Sequence, residues 1–325
     1  MLNNQKLFSL INVANVQSGL LKENFVEQPE KLADFEDISR GIPILVPADP
    51  ELFIFENNDV FTVSPEQILQ TIYGHQDKTY VGFNHAFRGF NFLSKINVRA
   101  QHKSVLASII QQNELTIEHV SELKRHNKSV GAFQTRNIPH FGHETIMRRM
   151  LDHCNHLVIN PVLGPKKPGD ATLECLEDVF SNFYHNHFNS RITFRPIVAN
   201  MYYAGPREAI HHAKLRGSIG FDLFSVGRDH AGAGGVYAPD AASAAVTRNH
   251  SSLGINVFCH SGAIFCHICN KVSLRDDCEH SEMNKSDISG TDFRRCLKTK
   301  SKFPHASELL QEHLFSQKYK VFEND

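Results

Sequence analysis

Apolar and polar positions follow two rhythms along this chain. Up to about residue 125 the apolar residues fall in short β-prone runs: Ile42-Pro43-Ile44-Leu45-Val46-Pro47, Leu52-Phe53-Ile54-Phe55 and Val60-Phe61-Thr62-Val63. Pro, Asp and Asn cut these runs apart, which predicts a small barrel or meander. Ser64-Pro65-Glu66-Gln67 reads as a helix start, with serine as cap and proline in the first turn, and Glu118 to His126 as a polar helix. From about 128 the rhythm changes to continuous apolar runs separated by helical stretches. Val130-Gly131-Ala132-Phe133, Leu157 to Val162, Ile192 to Val198 and Phe221 to Val226 are the strands this implies. Pro206 to Lys214 is a helix between the last two. Buried strands alternating with helices predict a doubly wound α/β sheet. The division expected is therefore 1–125, 126–260 and 261–325, the last holding a cysteine cluster and a short helical segment.

The first strand of that sheet carries the most informative chemistry. It breaks into Gln134-Thr135-Arg136-Asn137-Ile138-Pro139 and resumes as a helix opening with His140-Phe141-Gly142-His143. Unpaired N–H groups and the helix dipole make such a start an anion site. Two imidazoles one turn apart add donors, and Arg136 with Gln134 offers a fork and an amide that fit a tetrahedral dianion. The plain alternative is that Arg136 pairs with a surface acid and the histidines cap the helix. After the fourth strand comes Gly227-Arg228-Asp229-His230-Ala231-Gly232, whose glycines permit close backbone approach; a simple turn would not require Arg, Asp and His together. Strand ends of an open α/β sheet converge, so these two loops are expected to meet.

Cys266, Cys269 and Cys278 have the spacing of a compact tetrahedral zinc site. His280 is the nearest fourth ligand; His267 and Glu282 are the alternatives, and three unmetallated thiols are the plain reading. Four donors would saturate zinc, so the site would be structural. The other four cysteines, Cys154, Cys175, Cys259 and Cys296, are expected to be packing residues.

The string Gln134-Thr135-Arg136-Asn137 followed by His140-Phe141-Gly142-His143 resembles the signature of the ATP sulfurylase family within the nucleotidylyltransferases. Gly227 to Gly232 is similar to that family's Gly-Arg-Asp-His-Ala-Gly string residue for residue. The resemblance is strong over about 128 to 300. It implies a Rossmann-like nucleotidylyltransferase catalytic domain of the His-x-Gly-His type, between a shortened, PUA-like, β-rich N-terminal domain and a small C-terminal zinc-knuckle and helical segment. Ile72-Tyr73-Gly74-His75-Gln76-Asp77 is similar to the closing segment of that first domain, and Ser289-Gly290-Thr291-Asp292-Phe293-Arg294-Arg295-Cys296-Leu297 to a C-terminal element. The implied reaction joins MgATP and sulfate into adenosine 5′-phosphosulfate and pyrophosphate. The resemblance assigns catalysis to Thr135, Arg136, Asn137, His140 and His143, and substrate contacts to Gln134, Gly227, Arg228, Asp229, His230, Ala231 and Ala263. It also implies Mg²⁺ carried by ATP, structural Zn²⁺ on Cys266, Cys269, Cys278 and His280, and compatibility with a homo-oligomer.

Two departures stand out. The proline of the signature comes one place late, at Pro139, and Tyr202 stands where the family has arginine in the run before Tyr203-Ala204-Gly205-Pro206-Arg207-Glu208-Ala209. A cation missing beside an anion site points to weaker sulfate binding or another oxyanion acceptor. A nucleotide-binding regulatory protein without turnover is the alternative of a different class. Arg207 is read either as a substrate contact or as a loop holder through Glu208, and Lys167 as a pyrophosphate contact or a solvated lysine. A net charge of −1 and pI ≈ 7.1 argue against a nucleic-acid partner. No long apolar segment stands at Met1 to Lys6 and no run of transmembrane length follows, so neither a signal peptide nor a membrane span is expected. With seven scattered cysteines these features predict a reducing cytoplasm.

Overall fold

The computed structural model describes residues 2–165, 170–228, 230–231 and 235–323. Helix α1 (Asn4–Gln17) is capped by the Asn3 side chain, which accepts from Lys6 N. Strands β1 (Val60–Thr62) and β2 (Asn91–Leu93) pair antiparallel. Helix α2 (Lys103–Arg125) then leads into the parallel sheet. This sheet contains β3 (Val130–Phe133), β4 (His156–Ile159), β5 (Ile192–Phe194), β6 (Leu223–Val226) and β7 (Asn256–Cys259). Helix α3 (Phe141–Leu151) follows β3, α4 (Pro206–Ile219) follows β5, and α5 (Ala241–Arg248) follows β6. A three-stranded antiparallel sheet comprises β8 (Ala263–Cys266), β9 (Lys271–Leu274) and β10 (Lys285–Asp287), and α6 (Gly290–Lys298) comes after it.

The parallel strands run in the order β5-β4-β3-β6-β7. The chain builds outward from β3 in one direction through β4 and β5, then crosses back to lay β6 on the other flank. Gly131 pairs with Leu223 and Ala132 with Phe224 at that junction. The β3/β6 boundary is thus the topological switch point, where an open α/β sheet forms its crevice. The apolar runs predicted for β3, β4, β5 and β6 each contain a strand, though the runs for β4 and β5 continue three and four residues past Ile159 and Phe194. The edge strand β7 was not expected. Its four residues are exposed or half-buried, and a half-wet edge lacks the continuous apolar run of the strands inside.

The sheet divides the interior in two. On one side Val130, Ala132 and Phe224 pack with α4 and with most of the N-terminal segment, from Phe8 and Leu10 to Phe92 and Val98. On the other, Phe133, Leu157 and Ile159 pack with Met147 and Met150 of α3 and with Phe293, Phe303 and Leu310 of the C-terminal segment. The N-terminal segment therefore shares its core with the sheet. Buried asparagines fix this docking: Asn113 donates to Asn15 Oδ1 (2.8 Å) and accepts from Val198 N (2.7 Å). Such satisfied interior groups specify one arrangement.

The expected small barrel does not close among the described residues. Of the three predicted runs only the last forms a strand, Val60–Thr62, paired with Asn91–Leu93, while Ile44, Pro47 and Phe53 make single bridges to Phe25, Phe92 and Val98. Pro43 and Pro47 lack the N–H a ladder needs, yet Ile44, Leu45, Val46, Leu52 and Phe53 are buried. The apolar pattern marked burial correctly and secondary structure incorrectly.

Gly131 lets α3 and its trailing turn lie close on β3. A Cβ there would sit 2.9 Å from Cys154 Sγ and 3.1 Å from Leu157 Cδ1. Gly131→Val is expected to cost about 1–3 kcal/mol through overpacking, read as a lowered urea midpoint; an unchanged midpoint would show that the sheet face yields there.

Candidate functional site

At the carboxyl ends of β3 and β6 lies a cavity of about 280 Å³. Gln134, Thr135, Arg136, Asn137 and His143 enter it from the first loop and helix. Gly227, Arg228, His230 and Ala231 enter from the second. The two strings separated by about ninety positions are thus one site, because β3 and β6 are hydrogen-bonded neighbours. A larger groove of about 800 Å³ runs beside α2 and β5, but three glutamates, Glu118, Glu122 and Glu177, outnumber Arg125 and Arg195 along it, and a net negative lining disfavours a polyanion.

His140 is the N-cap of α3, and its Nδ1 accepts from Gly142 N at 3.1 Å. His143 Nδ1 in turn accepts from His140 N at 3.3 Å. The two imidazoles form a reciprocal cap of the kind usually made by Ser and Glu. Hydrogen positions follow from these bonds: with Nδ1 accepting, each neutral ring carries its proton on Nε2 and donates from there. Burial, then His143 and His305, lowers the His140 pKa to about 2. Burial and His260 lower that of His143 to about 4. Both are neutral donors at pH 7. Gly142 permits the fold-back, since a Cβ there would meet His140 Cε1 at 2.9 Å. The cavity wall includes His143 but not His140, which packs on Phe293 and Phe303. Ala263 is also outside the wall, beside Gly142.

Thr135 Oγ1 accepts from Asn137 N at 3.1 Å and so shapes the turn. Asn137 Oδ1 accepts from Arg294 of α6 at 3.2 Å, so the C-terminal element braces the first loop. Arg136 lies 3.7 Å from the buried Asp170 carboxylate, with its side chain 45% exposed. Among the described residues this loose pair is its one ion pair, and the guanidinium also lines the cavity. Arg228 is likewise half-exposed, 3.9 Å from Asp287. Ile138 is buried in the lower core, so the late proline places an apolar anchor in the turn and leaves the helix start intact. Asp229 and Lys167 lie outside the described residues.

The reading of Tyr202 as a gap in an anion site is corrected. Its ring is buried and its hydroxyl donates to Asn12 Oδ1 at 3.0 Å, away from the cavity. Met201 and Tyr203 face the cavity in its place. Arg207 is a tie: it is buried and donates to Gly41 O at 2.8 Å. Cys154 and Cys175 are buried as expected, whereas Cys259 is exposed because β7 is an edge.

The structure adds residues that the sequence did not single out. His260, just past β7, has Nδ1 accepting from Gly262 N (3.2 Å) and Nε2 3.1 Å from Ser225 Oγ. The ring therefore donates to Ser225, whose own hydroxyl proton is available to a ligand. Recognising β7 would have exposed His260 by the same strand-end rule. Below the site, Cys266, Cys269, Cys278 and His280 bring their ligand atoms within 4.8 Å of one another. His280 Nδ1 stands 3.4, 3.3 and 3.7 Å from the sulfurs of Cys266, Cys269 and Cys278. Zinc–sulfur and zinc–nitrogen bonds of ~2.3 and ~2.0 Å at tetrahedral angles separate such ligands by roughly 3.5 Å. The donor set fits one tetrahedral ion, with His280 as the fourth ligand. The Cys269 backbone N–H lowers the Cys266 thiol pKa to about 6, while the hydrogen bond with Cys266 raises that of Cys269.

Neutral buried imidazoles make stability depend on pH. Depressed below 6.5 in the fold, they contribute fully above that value and lose their contribution as pH falls toward 4. Urea unfolding from pH 7 to 4.5 is expected to show falling stability, with a shallower slope in His143→Gln; equal slopes would remove His143 from the cause.

Comparison with known proteins bears on the same loops. A sulfate adenylyltransferase of Hyperthermus butylicus is 40% identical over 171 residues, spanning 52% of this chain and 44% of the relative. One from Staphylothermus marinus is 28% identical over 319 residues, spanning 90% and 83%. One from Ignicoccus hospitalis is 38% identical over 171 residues and again spans 44% of the relative. For two of these three the matched part is less than half the relative's length. Among solved structures, a chain described as a hexameric APS kinase from Thiobacillus denitrificans superposes with TM-score 0.57 at 12% identity, covering 96% of this chain and 62% of that one; it shares the fold. The ATP-sulfurylase family model matches residues 112–308, from the middle of α2 to ten residues past α6 and across both loops of the cavity. This protein belongs to the ATP-sulfurylase family.

Proposed function

We propose that the chain is a sulfate adenylyltransferase, converting MgATP and sulfate into adenosine 5′-phosphosulfate and pyrophosphate. The observation that carries this is the convergence of Arg136, His143, Arg228 and His230 on one cavity at the β3/β6 switch point. A sulfate oxygen attacks the α-phosphorus; that O–P bond forms while the bond to the bridging oxygen breaks and pyrophosphate leaves in line. Sulfate has no proton to lose, so no general base is needed. Catalysis rests on positioning and charge stabilisation. In this reading Arg136 and Gln134 orient sulfate together with the Ala231 backbone. His143 donates from Nε2 to oxygens of the leaving group, and His140 buttresses it from behind, its ring 4.1 Å away. Thr135 and Asn137 hold the turn. Gly227, Arg228, Asp229 and His230 embrace the nucleotide. Mg²⁺ arrives with ATP.

Residues 1–125 are, in the same proposal, a reduced counterpart of the family's PUA-like domain, 126–260 the catalytic domain and 261–325 a knuckle and brace. Cys266, Cys269, Cys278 and His280 would hold zinc, whose chemistry here is to cross-link β8, the following turn and residue 280, outside the reaction. Self-association belongs to the proposal as well, as does a cytoplasmic location. Among the described residues no helix is long and apolar enough to cross a membrane.

The direct test is molybdate-dependent cleavage of ATP to AMP and pyrophosphate. The wild-type chain is expected to be active and Arg136→Ala to be reduced ~10²-fold or more. Nucleotide binding without release of pyrophosphate from ATP in the presence of any oxyanion would favour a regulatory protein instead. For the metal, elemental analysis is expected to find one zinc per chain. Cys269→Ser should lose it and lower the thermal midpoint by several degrees, while Cys296→Ser leaves both unchanged; a zinc-free native protein would end that assignment.

A further inference from the structure

A buried chain of three side chains runs from the start of α4 to the cavity. Glu208 turns back from the first turn of α4: Oε1 accepts from Tyr202 N at 2.8 Å and Oε2 from Ala204 N at 2.9 Å. One turn further on, His212 Nε2 stands 3.4 Å from Glu208 Oε1, both side chains being fully shielded from solvent. The other nitrogen of His212, Nδ1, is 3.2 Å from His230 Nε2. His230 borders the cavity, its ring edge-on to Phe224 at 5.7 Å.

The order of donors along this chain follows from its two ends. Both Glu208 oxygens already accept backbone N–H groups, which favours an acceptor-only carboxylate at a helix N-terminus; burial outweighs these bonds and raises its pKa to about 7, so the carboxylate is ionised above that pH. Burial lowers the pKa of His230 to about 3 and that of His212 well below 6.5, with Arg216 second in each case. Both rings are neutral, and each has one proton to place. His212 Nε2 makes no hydrogen bond at 3.4 Å, but the charge of the ionised Glu208 favours the tautomer that turns an N–H toward it, so the His212 proton lies on Nε2. His212 Nδ1 is then a bare acceptor, and only an N–H at His230 Nε2 satisfies it. The charged and titratable groups around the chain are Arg136, Tyr73, Tyr202 and Tyr237 near Glu208, and Arg216, His211 and His260 near the rings.

We propose that Glu208, acting through His212, is a positioning residue that fixes His230 as the Nε2–H tautomer and leaves its Nδ1 as a hydrogen-bond acceptor. Nε2 is committed to His212, so Nδ1 is the one ring nitrogen left for a ligand. An acceptor cannot bind phosphate or sulfate oxygens; it takes a hydroxyl or amine, as a nucleoside's ribose or base supplies. His230 thus discriminates the nucleoside end of the substrate, in contrast to His143, which donates. The assignment of a nucleotide to this cavity rests on the proposed function; the tautomer does not.

The test is long-range ¹H–¹⁵N correlation of the histidine rings in the full, ligand-free chain. At pH 8, where Glu208 is ionised, wild-type His230 is expected with its proton on Nε2. His212→Phe should release it to a mixture or to Nδ1–H. His212→Gln should restore it, since a glutamine can donate its amide to Glu208 and accept from His230 with its carbonyl. Nδ1–H in the wild type, or an unaltered tautomer in a folded His212→Phe chain, would overturn the proposal, and the wild-type spectrum decides even if that variant fails to fold. In kinetics, His212→Phe should raise KM for ATP about tenfold, the worth of one hydrogen bond, with recovery in His212→Gln. An inactive wild type would count against the enzymatic reading alone.

Discussion

The lateral pairing of β3 with β6 is the constraint on which the rest depends. Gly131 and Ala132 meet Leu223 and Phe224 across it, so the loops that follow leave the sheet side by side. Each loop alone would be an ordinary strand-to-helix turn. Placed one strand apart, one supplies donors from a helix start and the other a glycine turn with Arg228 and His230. A one-residue slip of register would turn the inward and outward faces of β6 over and separate them. The register holds because both faces of these strands are buried, in two different cores.

Those cores explain the two flanking segments. A parallel sheet must be covered on both faces. The N-terminal segment covers one with Phe8, Leu10 and the residues around Phe92, and its asparagines lock it to the chain beyond β5. The C-terminal segment covers the other and reaches the site twice: Arg294 holds Asn137, and His305 O accepts from Phe141 N at the first turn of α3. The Cys and His cluster lies at the end of β8, where one tetrahedral centre would tie that strand to the turns carrying Cys269, Cys278 and His280.

The electrostatic pattern divides labour. Two half-exposed arginines supply charge at the cavity and can follow a ligand. The histidines supply direction: buried, neutral and tied by backbone N–H groups or by one another, each has its polarity set by its partner. Neutral donors cost less to desolvate than imidazolium ions would in the same place, and their orientation is fixed before substrate enters.

Much of this was legible in the chain. Continuous apolar runs marked β3, β4, β5 and β6 because strands buried on both faces admit few polar residues. Gln134 to His143 and Gly227 to Ala231 stood out because anion binding needs particular donors at fixed spacing, and Cys266, Cys269, Cys278 and His280 because a small closed metal site needs its ligands near in sequence. Tertiary structure decided what depends on neighbours distant along the chain. It turned Tyr202 toward Asn12, made Arg207 a tie to Gly41, drew apolar runs cut by proline into a shared core without closing a barrel, and aligned Glu208, His212 and His230. Local spacing records what one segment can form by itself; which partner a buried polar group meets is settled only when the sheet brings separate segments together.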